Sequence, residues 1–262
     1  MAGAALTLAA AALAALVAGA FTLLGAHAGP ARPLVIGVGL WLLLSIRGLF
    51  AAAVAVRAPL AAGHLGAARA ALAWHLVSRP TRELDAAHVA SGAVESVAEN
   101  LTDAFVAPVI FFLLLGLPGA AVYRAVNTAD AMLGYREGAL EHFGKVAARL
   151  DDLLNLIPAR LSALAIVAAA LGGADRGGAW RTMRRDRRRT ASPNAGWTMA
   201  AMAGALGVTL EKPGAYRLGD GREPRPEDID RAVRVTALAA VLATAILLGV
   251  AAAVRTYCSA GT

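Results

Sequence analysis

Long apolar runs dominate the chain and predict membrane helices. Three runs, 2–26, 34–56 and 235–254, are long enough to cross a bilayer core, which needs about 20 apolar residues in a helix. Two more, 104–123 and 157–174, are interrupted by proline or glycine beside polar residues. Irregular backbone at membrane depth requires surrounding protein or a water-filled cavity. We therefore expect neither of these two segments to make a simple crossing, and a re-entrant path is predicted for both.

The composition agrees with this pattern and excludes other classes of protein. Hydrophobic residues make up 58% of the 262 positions and charged residues only 16%, whereas soluble domains carry about 25% charged residues. Alanine, leucine and valine, which favour helices, supply most of the apolar mass. We predict an all-α integral membrane protein, one domain over residues 1–262, with about three to five transmembrane or re-entrant helices plus amphipathic helices.

The positive charge is concentrated in one segment. The formal net charge is +7, and residues 174–234 hold 13 Lys/Arg against 8 Asp/Glu. Basic loops of membrane proteins stay in the cytoplasm, so 175–234 is predicted to be an Arg-rich cytoplasmic loop of a multi-pass cell-membrane protein, with the site facing the cytoplasm. On a membrane chain this charge favours contact with lipid rather than nucleic acid. The single cysteine, Cys258, excludes an intrachain disulfide framework and a Cys-based zinc cluster.

A first polar cluster precedes the third apolar run. Glu95, Glu99 and Asp103 recur every four residues and would share one face of a helix, with Asn100 beside them. A solvated stripe on an amphipathic helix is the alternative. That alternative normally supplies basic partners four residues away, and this stripe has none, so a functional cluster is favoured.

A second polar cluster follows the same apolar run. It spans residues 123–135, where Arg124 lies close to Asn127 and Asp130. Asn127 and Asp130 are three residues apart and share a helix face. A helix N-cap at Asn127 or Thr128 is the alternative, although a cap explains only one of these residues.

A third cluster offers ligands for a metal ion. Asp151, Asp152 and Asn155 carry the hard oxygen atoms that Mg²⁺ prefers. Arg149 and Arg160 flank them and could hold phosphate oxygens in a bidentate manner. A charged juxtamembrane turn, with Arg149 paired to one of the aspartates, is the alternative. Ionisable residues packed against membrane segments are costly and usually functional, which favours a site.

A fourth region joins an arginine run to a tight turn. Arginines crowd residues 181–189, and the turn Ser192-Pro193-Asn194-Ala195-Gly196 follows, ending at Trp197. Anionic lipid headgroups explain most of the arginines, and turn chemistry alone explains Pro193 and Gly196. The short polar side chains of Ser192 and Asn194 are nevertheless suited to cradling a phosphate or a carboxylate.

Taken together, these segments resemble the CobD/CbiB family, the adenosylcobinamide-phosphate synthases of cobalamin biosynthesis. The resemblance runs from about residue 44 to residue 232, with the motifs in the family's order. Members usually begin with a further apolar stretch and Gly-Asp-Pro and His-Pro elements, which this sequence lacks. The segments that carry the resemblance are 45–49 (SIRGL), 94–103 (VESVAENLTD), 124–135 with its Asn-Thr-x-Asp, 143–144 (FG), 148–152 (ARLDD), 157–161 (IPARL), 192–197 (SPNAGW), 200–206 (AAMAGAL) and 212–216 (KPGAY).

The resemblance implies amide formation by a carbon–nitrogen ligase. The propionate carboxylate of adenosylcobyric acid, a corrinoid, would be joined to (R)-1-amino-2-propanol or its O-phosphate. A carboxylate oxygen is a poor leaving group, so ATP with Mg²⁺ is the expected route of activation, although no recognisable ATP fold is present. A complex with other corrinoid-pathway proteins is a further expectation.

These implications assign roles to the residues of the four clusters. Glu95, Glu99 and Asp103 are the predicted catalytic residues, with one of the glutamates as general base. Asp130, Asp151 and Asp152 are predicted to hold Mg²⁺. Predicted substrate-binding residues are Asn100, Arg124, Asn127, Arg149, Asn155, Arg160, Ser192 and Asn194.

Two other classes of protein fit parts of the pattern. A membrane prenyltransferase also holds Mg²⁺-diphosphate on acidic motifs, but its aspartates recur four residues apart in two motifs, and Asn127 and Asn155 replace the second aspartate here. A transporter or scaffold subunit would also place Asp and Glu near membrane helices. A transporter is expected to show symmetric halves, whereas the polar motifs of this chain all lie in its middle.

Overall fold

The chain is almost entirely helical. The computed structural model describes residues 2–133, 143–171 and 173–260. Helices α1 to α6 are Ala2–His27, Arg32–Leu43, Ile46–Ala61, Leu65–His75, Ala86–Leu101 and Ala107–Leu133, with a 3-10 turn at Gly29–Ala31 and a π-helical turn at Thr102–Val106. Helices α7 to α11 are Lys145–Leu154, Leu156–Ala169, Arg176–Asp186, Ala195–Leu206 and Pro226–Ala260, and strands β1 (Leu210–Lys212) and β2 (Tyr216–Leu218) form an antiparallel hairpin before α11.

The membrane character predicted from the apolar runs is confirmed. In the described part of the chain, four helical segments are long and apolar enough to cross a membrane: Ala2–His27, Gly29–Ala61, Ala86–Leu133 and Pro226–Ser259. Helices α7 and α8, bent by 52°, would make a fifth if the pair is one span. The predicted fold class, an all-α membrane protein with about three to five such helices, therefore holds.

Two of the predicted spans are interrupted in the structure. The run 34–56 is divided into α2 and α3, with Leu44 and Ser45 outside both helices. Within α6, Gly116 has φ 68° and ψ −162°, a conformation that favours glycine, and Pro118 follows it. The interruption expected in the run 104–123 is confirmed at this point, where Pro118 also lacks the amide hydrogen that would continue the helical ladder.

The described chain divides into two compact units, and the single-domain prediction stays a prediction. The first unit comprises Met1–Ser45 and Asp103–Pro158, and its helices are α1, α2, α6 and α7. Ala18 of α1 packs against Leu117 and Ala121 of α6. A Cβ on Gly39 of α2 would lie 2.8 Å from the Leu117 side chain, so this glycine permits the close approach of α2 to α6.

The second unit is built around α5 and comprises Ile46–Thr102 and Ala159–Thr262. Asp85 caps α5, since its side chain accepts a hydrogen bond from the amide of His88 at 2.8 Å. Residues Val89 to Ala98 of the helix are buried among α3, α4, α10, α11 and β1. A helix buried all round is expected to be apolar, so the glutamate within α5 needs internal partners.

The segment 175–234 is folded into helices and a hairpin, and its place as a cytoplasmic loop between membrane spans stays a prediction. It contains α9, α10, the hairpin and the start of α11. Every residue of α10 except Trp197 is buried, yet twelve residues are too few to cross a bilayer. A Cβ on Gly204 of α10 would overlap the carbonyl oxygen of Gly178 in α9. The small residues at this crossing bring the two backbones together, and their placement on the cytoplasmic side remains a prediction.

Candidate functional site

The first unit contains a polar cluster built around Asn155. The Asn155 amide nitrogen donates hydrogen bonds to Asp103 Oδ1 at 3.1 Å and to Asp151 Oδ2 at 3.0 Å. The Tyr123 hydroxyl lies 2.9 Å from Asn155 Oδ1 and 3.0 Å from Asp103 Oδ1. Asn127 donates to Asp151 Oδ1 at 3.0 Å. We call these five side chains the Asn155 cluster.

Three helical elements position the Asn155 cluster. Asp103 lies in the π-helical turn, a feature that often marks functional sites. Tyr123 and Asn127 are four residues apart in α6, so their side chains share one face of that helix. Asp151 and Asn155 are also four residues apart, at the C-terminal end of α7, where the Asn155 amide bonds the Asp151 carbonyl oxygen. Asn127 lies inside α6 and does not cap a helix, so the N-cap alternative is wrong.

The Asn155 cluster contains two carboxylates, and the described contacts of the neighbouring arginine are with other oxygen atoms. Arg124 Nη1 donates to the backbone carbonyl oxygen of Asp103 at 3.1 Å and to Asn127 Oδ1 at 3.3 Å, rather than to a carboxylate oxygen. Asp130 lies within electrostatic range of Asp151 and Asp152. Carboxylates gathered in a protein interior repel one another unless a cation or a proton intervenes. The arrangement is therefore suited to a bound cation.

The described residues fit Mg²⁺ in part. No group of three or more His, Cys, Asp and Glu side chains in the described part of the chain is arranged to hold a metal ion. Mg²⁺ usually keeps several waters and takes only one or two carboxylates together with substrate phosphates. Asp103 and Asp151, joined through one amide nitrogen, meet that lesser requirement. Asp130, Asp151 and Asp152 as a three-carboxylate metal site remain a prediction.

A second buried cluster, in the second unit, surrounds Glu95. This side chain accepts hydrogen bonds from Ser91 Oγ at 2.7 Å and from the Tyr216 hydroxyl at 2.8 Å, and Arg79 Nη2 lies at 3.5 Å. Ser91 Oγ in turn accepts from the amide of Glu211 in β1 at 2.7 Å. Glu95 is only 5% exposed, so it is not part of a solvated stripe. The cluster ties the hairpin to α5.

The protonation of Tyr216 supports this arrangement. Burial raises the pKa of the Tyr216 phenol well above its usual value, and the charge of Glu95 and their hydrogen bond raise it further. Tyr216 therefore keeps its proton and acts as a donor. The hydrogen bonds from Ser91 and Tyr216 occupy both Glu95 oxygens, so this carboxylate is committed to partners within the second unit.

A third cluster combines arginine and tryptophan in the second unit. Arg160 Nη1 donates to Asn194 Oδ1 at 2.6 Å. The guanidinium carbons of Arg160 and Arg187 each lie 4.8 Å from the centroid of the Trp197 ring. Ser192 Oγ accepts hydrogen bonds from the amides of Asn194 and Ala195, which start α10, at 3.2 and 3.5 Å.

The remaining predicted site residues lie apart from these hydrogen bonds or at their margin. Asn100 donates to the carbonyl oxygen of Ser96 in its own helix at 2.9 Å. Glu99 lies within electrostatic range of Tyr216. Arg149 is exposed on α7. The first polar cluster is not one stripe, because α5 ends at Leu101 before Asp103, and the π-helical turn breaks the regular spacing.

Several partners were missed by the sequence reasoning. Tyr216 lies in the KPGAY motif and Trp197 in the SPNAGW motif, so the motifs themselves were the available signal. Tyr123 opens the second polar cluster. Arg79 and Arg187 gave no local signal that distinguishes them from other arginines. Their roles depend on partners that are remote in sequence or that are set by the fold.

Comparison with known proteins identifies the family. Residues 1–255 match the family described as CobD/Cbib protein. The chain belongs to the CobD/CbiB family. The resemblance drawn from the motifs is thereby confirmed.

Curated relatives in this family are named as cobalamin biosynthesis proteins. A "Cobalamin biosynthesis protein CobD" of Dehalococcoides mccartyi is 52% identical over 181 residues, which cover 69% of this chain and 58% of the relative. A protein of the same name from Chromobacterium violaceum is 47% identical over 224 residues, covering 80% of this chain and 70% of the relative. A "Probable cobalamin biosynthesis protein CobD" of Methanothermobacter thermautotrophicus is 49% identical over 177 residues, covering 67% and 60%.

The names of these relatives state a pathway and no specific reaction. The CobD/CbiB family and its curated names support a role for the family in cobalamin biosynthesis. The chain spans about three fifths of the length of the relatives from Dehalococcoides mccartyi and Methanothermobacter thermautotrophicus. No solved structure matches the chain significantly.

Proposed function

We propose that this protein acts in cobalamin biosynthesis by joining an amino alcohol to the propionate carboxylate of adenosylcobyric acid. The amine donor is (R)-1-amino-2-propanol or its O-phosphate, and the product is adenosylcobinamide or its phosphate. Family membership supports the pathway. The observation that carries the reaction is the Asn155 cluster, where two carboxylates, two amides and a phenol meet in a membrane protein.

The chemistry of amide formation fits that cluster. The amine arrives as an ammonium ion, and its nitrogen becomes nucleophilic only after a proton is removed. Asp103 and Asp151 share one amide donor, so they can attract the ammonium group. The Asp103 carboxylate is the proposed general base. This role moves from Glu95, whose oxygens already accept bonds from Ser91 and Tyr216.

The corrinoid side of the reaction requires hydrogen bonding and activation. The corrin ring is fringed with amides, and Asn127 and Asn155 can pair with such groups. In the proposed activation, the propionate oxygen takes the γ-phosphoryl group of ATP and ADP leaves. The amine nitrogen then bonds to the carbonyl carbon as inorganic phosphate departs, and the proton released from the nitrogen goes to the base. Asp151 would hold Mg²⁺ while Asp103 stays available as the base, and the ion would offset negative charge on the nucleotide.

The proposed location is the cell membrane, with the site open to the cytoplasm. This location is supported by the positive charge of residues 174–234, which include 13 basic and 8 acidic residues. ATP and the amine donor would be supplied from that side. Cysteine-accessibility labelling of single-cysteine variants in the hairpin and α9, in spheroplasts and inverted vesicles, tests this orientation.

The test of the reaction is a reconstituted assay. The protein in lipid nanodiscs is incubated with adenosylcobyric acid, ATP, Mg²⁺ and either amine donor, and products are identified by mass spectrometry. Asp151→Asn and Asp103→Asn are each expected to lower turnover at least about 100-fold, because each removes a charge at the reacting ammonium. Asp220→Asn is the matched control, since that aspartate is 78% exposed.

The possible outcomes distinguish the proposed reaction from the residue roles assigned to it. Loss of product in both cluster variants, with wild-type turnover in Asp220→Asn, supports the assigned roles. Absence of the amide mass with folded wild-type protein, with either donor, overturns the proposed reaction. Unchanged turnover in both Asp103→Asn and Asp151→Asn would leave the reaction standing and place its site elsewhere.

A further inference from the structure

Two guanidinium groups share one indole ring in the second unit. The guanidinium carbons of Arg160, in α8, and Arg187, just after α9, each lie 4.8 Å from the centroid of the Trp197 ring. Each contact is a favourable cation–π interaction. The shared ring also holds two like charges near each other, which costs free energy unless an anion joins them.

The surroundings fix the direction of both guanidinium groups. Asn194 is 6% exposed and accepts from Arg160 Nη1 at 2.6 Å. Arg187 Nη1 donates to the carbonyl oxygen of Arg184 at 2.6 Å. A guanidinium carries five N–H donors, so the bond to Arg184 orients the Arg187 group and uses one of its donors.

The charge of Arg187 is not neutralised by an ion pair within the described part of the chain. In the same arginine-rich segment, Arg185 and Arg189 both form ion pairs with Asp186. Arg181 pairs with Asp175. The acidic residues of the segment are thus committed to other arginines, and Arg187 keeps its charge for an external group.

We propose that Arg160 and Arg187, held on Trp197, form a phosphate-binding site that takes the dianion of a phosphomonoester. Guanidinium groups bind phosphate oxygens in a bidentate manner and stack on aromatic rings. The first turn of α10, which includes Trp197, adds the favourable potential of a helix N-terminus. Trp197 is a positioning residue, because it holds the two arginines and does not itself bond the phosphate.

The phosphate has two sources that share this chemistry. One is a soluble phosphomonoester, including the O-phosphate of the amine donor, and this assignment rests on the proposed function. The other is the phosphate of an anionic lipid headgroup, which arginines beside membranes also bind. The site itself is the same in both cases, so the source is decided by experiment.

The chain provides a matched control for the arginine pair. Arg184 lies over the ring of Trp180 at 5.8 Å, in the same arginine-rich segment. That contact joins one guanidinium to one indole, without a second arginine on the ring among the described residues. Arg184→Ala therefore removes the same charge from the same segment while it keeps the backbone carbonyl oxygen that accepts from Arg187.

The binding test uses full-length protein in phosphatidylcholine nanodiscs. Inorganic phosphate and 1-amino-2-propanol O-phosphate are titrated by calorimetry, and a second arm compares retention of phosphatidic acid with phosphatidylcholine by native mass spectrometry. Arg187→Ala and Arg160→Ala are each expected to weaken binding at least about tenfold, the effect of losing one hydrogen bond between charged groups. Arg184→Ala is expected to stay within about twofold of wild type.

The lipid arm identifies the source of the phosphate. Arginine-dependent retention of phosphatidic acid, without binding of either soluble probe, assigns the site to a lipid headgroup. Arginine-dependent binding of the soluble probes assigns it to a phosphomonoester. Wild-type binding of all probes by Arg187→Ala, or an equal loss in Arg184→Ala, overturns the proposal.

The role of Trp197 has its own readout. Trp197→Phe keeps an aromatic face and is expected to bind within about fivefold of wild type, whereas Trp197→Leu is expected to lose at least about tenfold. Circular dichroism confirms folding of each variant. If wild type binds phosphate but makes no amide, the proposed function fails and this inference stands. If wild type makes amide and Arg187→Ala binds normally, only this inference fails.

Discussion

The side chain of Asn155 holds together two carboxylates, so its removal is the most direct test of the cluster. Its amide nitrogen lies 3.1 Å from Asp103 Oδ1 and 3.0 Å from Asp151 Oδ2, and its oxygen accepts from Tyr123 at 2.9 Å. Asn155 is 3% exposed, so water cannot readily replace it. In Asn155→Ala, both carboxylates lose a donor and Tyr123 keeps only Asp103.

The structure sets the size of the expected effect. Hydrogen bonds in a membrane protein contribute about 0.6 kcal/mol each on average, so the three bonds give a lower bound of about 2 kcal/mol. Two of the three bonds go to carboxylates, and such bonds contribute about 1.5–3 kcal/mol each in water-soluble proteins. With about 0.6 kcal/mol for the third bond, the upper bound is about 7 kcal/mol. Repulsion between Asp103 and Asp151 adds to the loss. We expect the free energy of unfolding to fall by about 3 kcal/mol.

The measurement is equilibrium unfolding in mixed detergent micelles, followed by circular dichroism. Asn100→Ala is the control, since among the described residues Asn100 bonds the carbonyl oxygen of Ser96 in its own helix at 2.9 Å; this change should cost about 0.5 kcal/mol. Adding Asp103→Asn to Asn155→Ala is expected to recover part of the lost stability, because one of the two charges is gone. A loss below about 1 kcal/mol, equal to that of Asn100→Ala, would refute the bridging role.

Three further predictions concern the second unit. Tyr216→Phe should lower the free energy of unfolding by about 1–2 kcal/mol, because Glu95 loses a buried donor at 2.8 Å; thermal unfolding with unchanged stability would contradict this. Gly204→Ala should destabilise the protein by about 2 kcal/mol or more, because its Cβ would overlap the Gly178 carbonyl oxygen, whereas Gly249→Ala meets nothing within 4 Å and should not. Burial on its own raises the pKa of Asp186, but hydrogen bonds from Arg185 and the Gly219 amide and the charges of nearby arginines outweigh it and hold that pKa below its usual value. Its carboxylate therefore adds stability that is fully present above about pH 4 and is lost as the pH falls through the lowered pKa. Asp186→Asn should remove this contribution at neutral pH and flatten the acid side of a melting-temperature profile.

The general architecture was predictable from the sequence because hydrophobicity alone carries it. Uncharged runs of about 20 residues have few alternatives to a membrane helix, and the positions of Gly116 and Pro118 identified the interruption in α6. The spacing of four residues between Asp151 and Asn155 likewise indicated that the two side chains share one helix face. These inferences share one property: each depends on residues near each other in sequence.

The folding of 175–234 was not predictable on those grounds. Helix α10 is apolar and buried but has only twelve residues, so it falls below the length that marks a membrane span. Its place depends on contact with α9 at Gly178 and Gly204. Glycine in a sequence usually indicates a turn, whereas Gly178 and Gly204 allow two helices to come into contact. The same residue type supports opposite predictions until its neighbours are known.

The grouping of the acidic residues shows the same limit in the candidate site. Spacing of four residues places Glu95 and Asp103 on one face only while the helix stays regular, and the π-helical turn at Thr102–Val106 ends that regularity. Glu95 instead accepts hydrogen bonds from Arg79 and Tyr216, which are 16 and 121 residues away in the sequence. A carboxylate in an apolar helix must have partners, because an unpaired buried charge is too costly. The sequence therefore indicates that Glu95 has partners, whereas the identity of those partners depends on long-range packing.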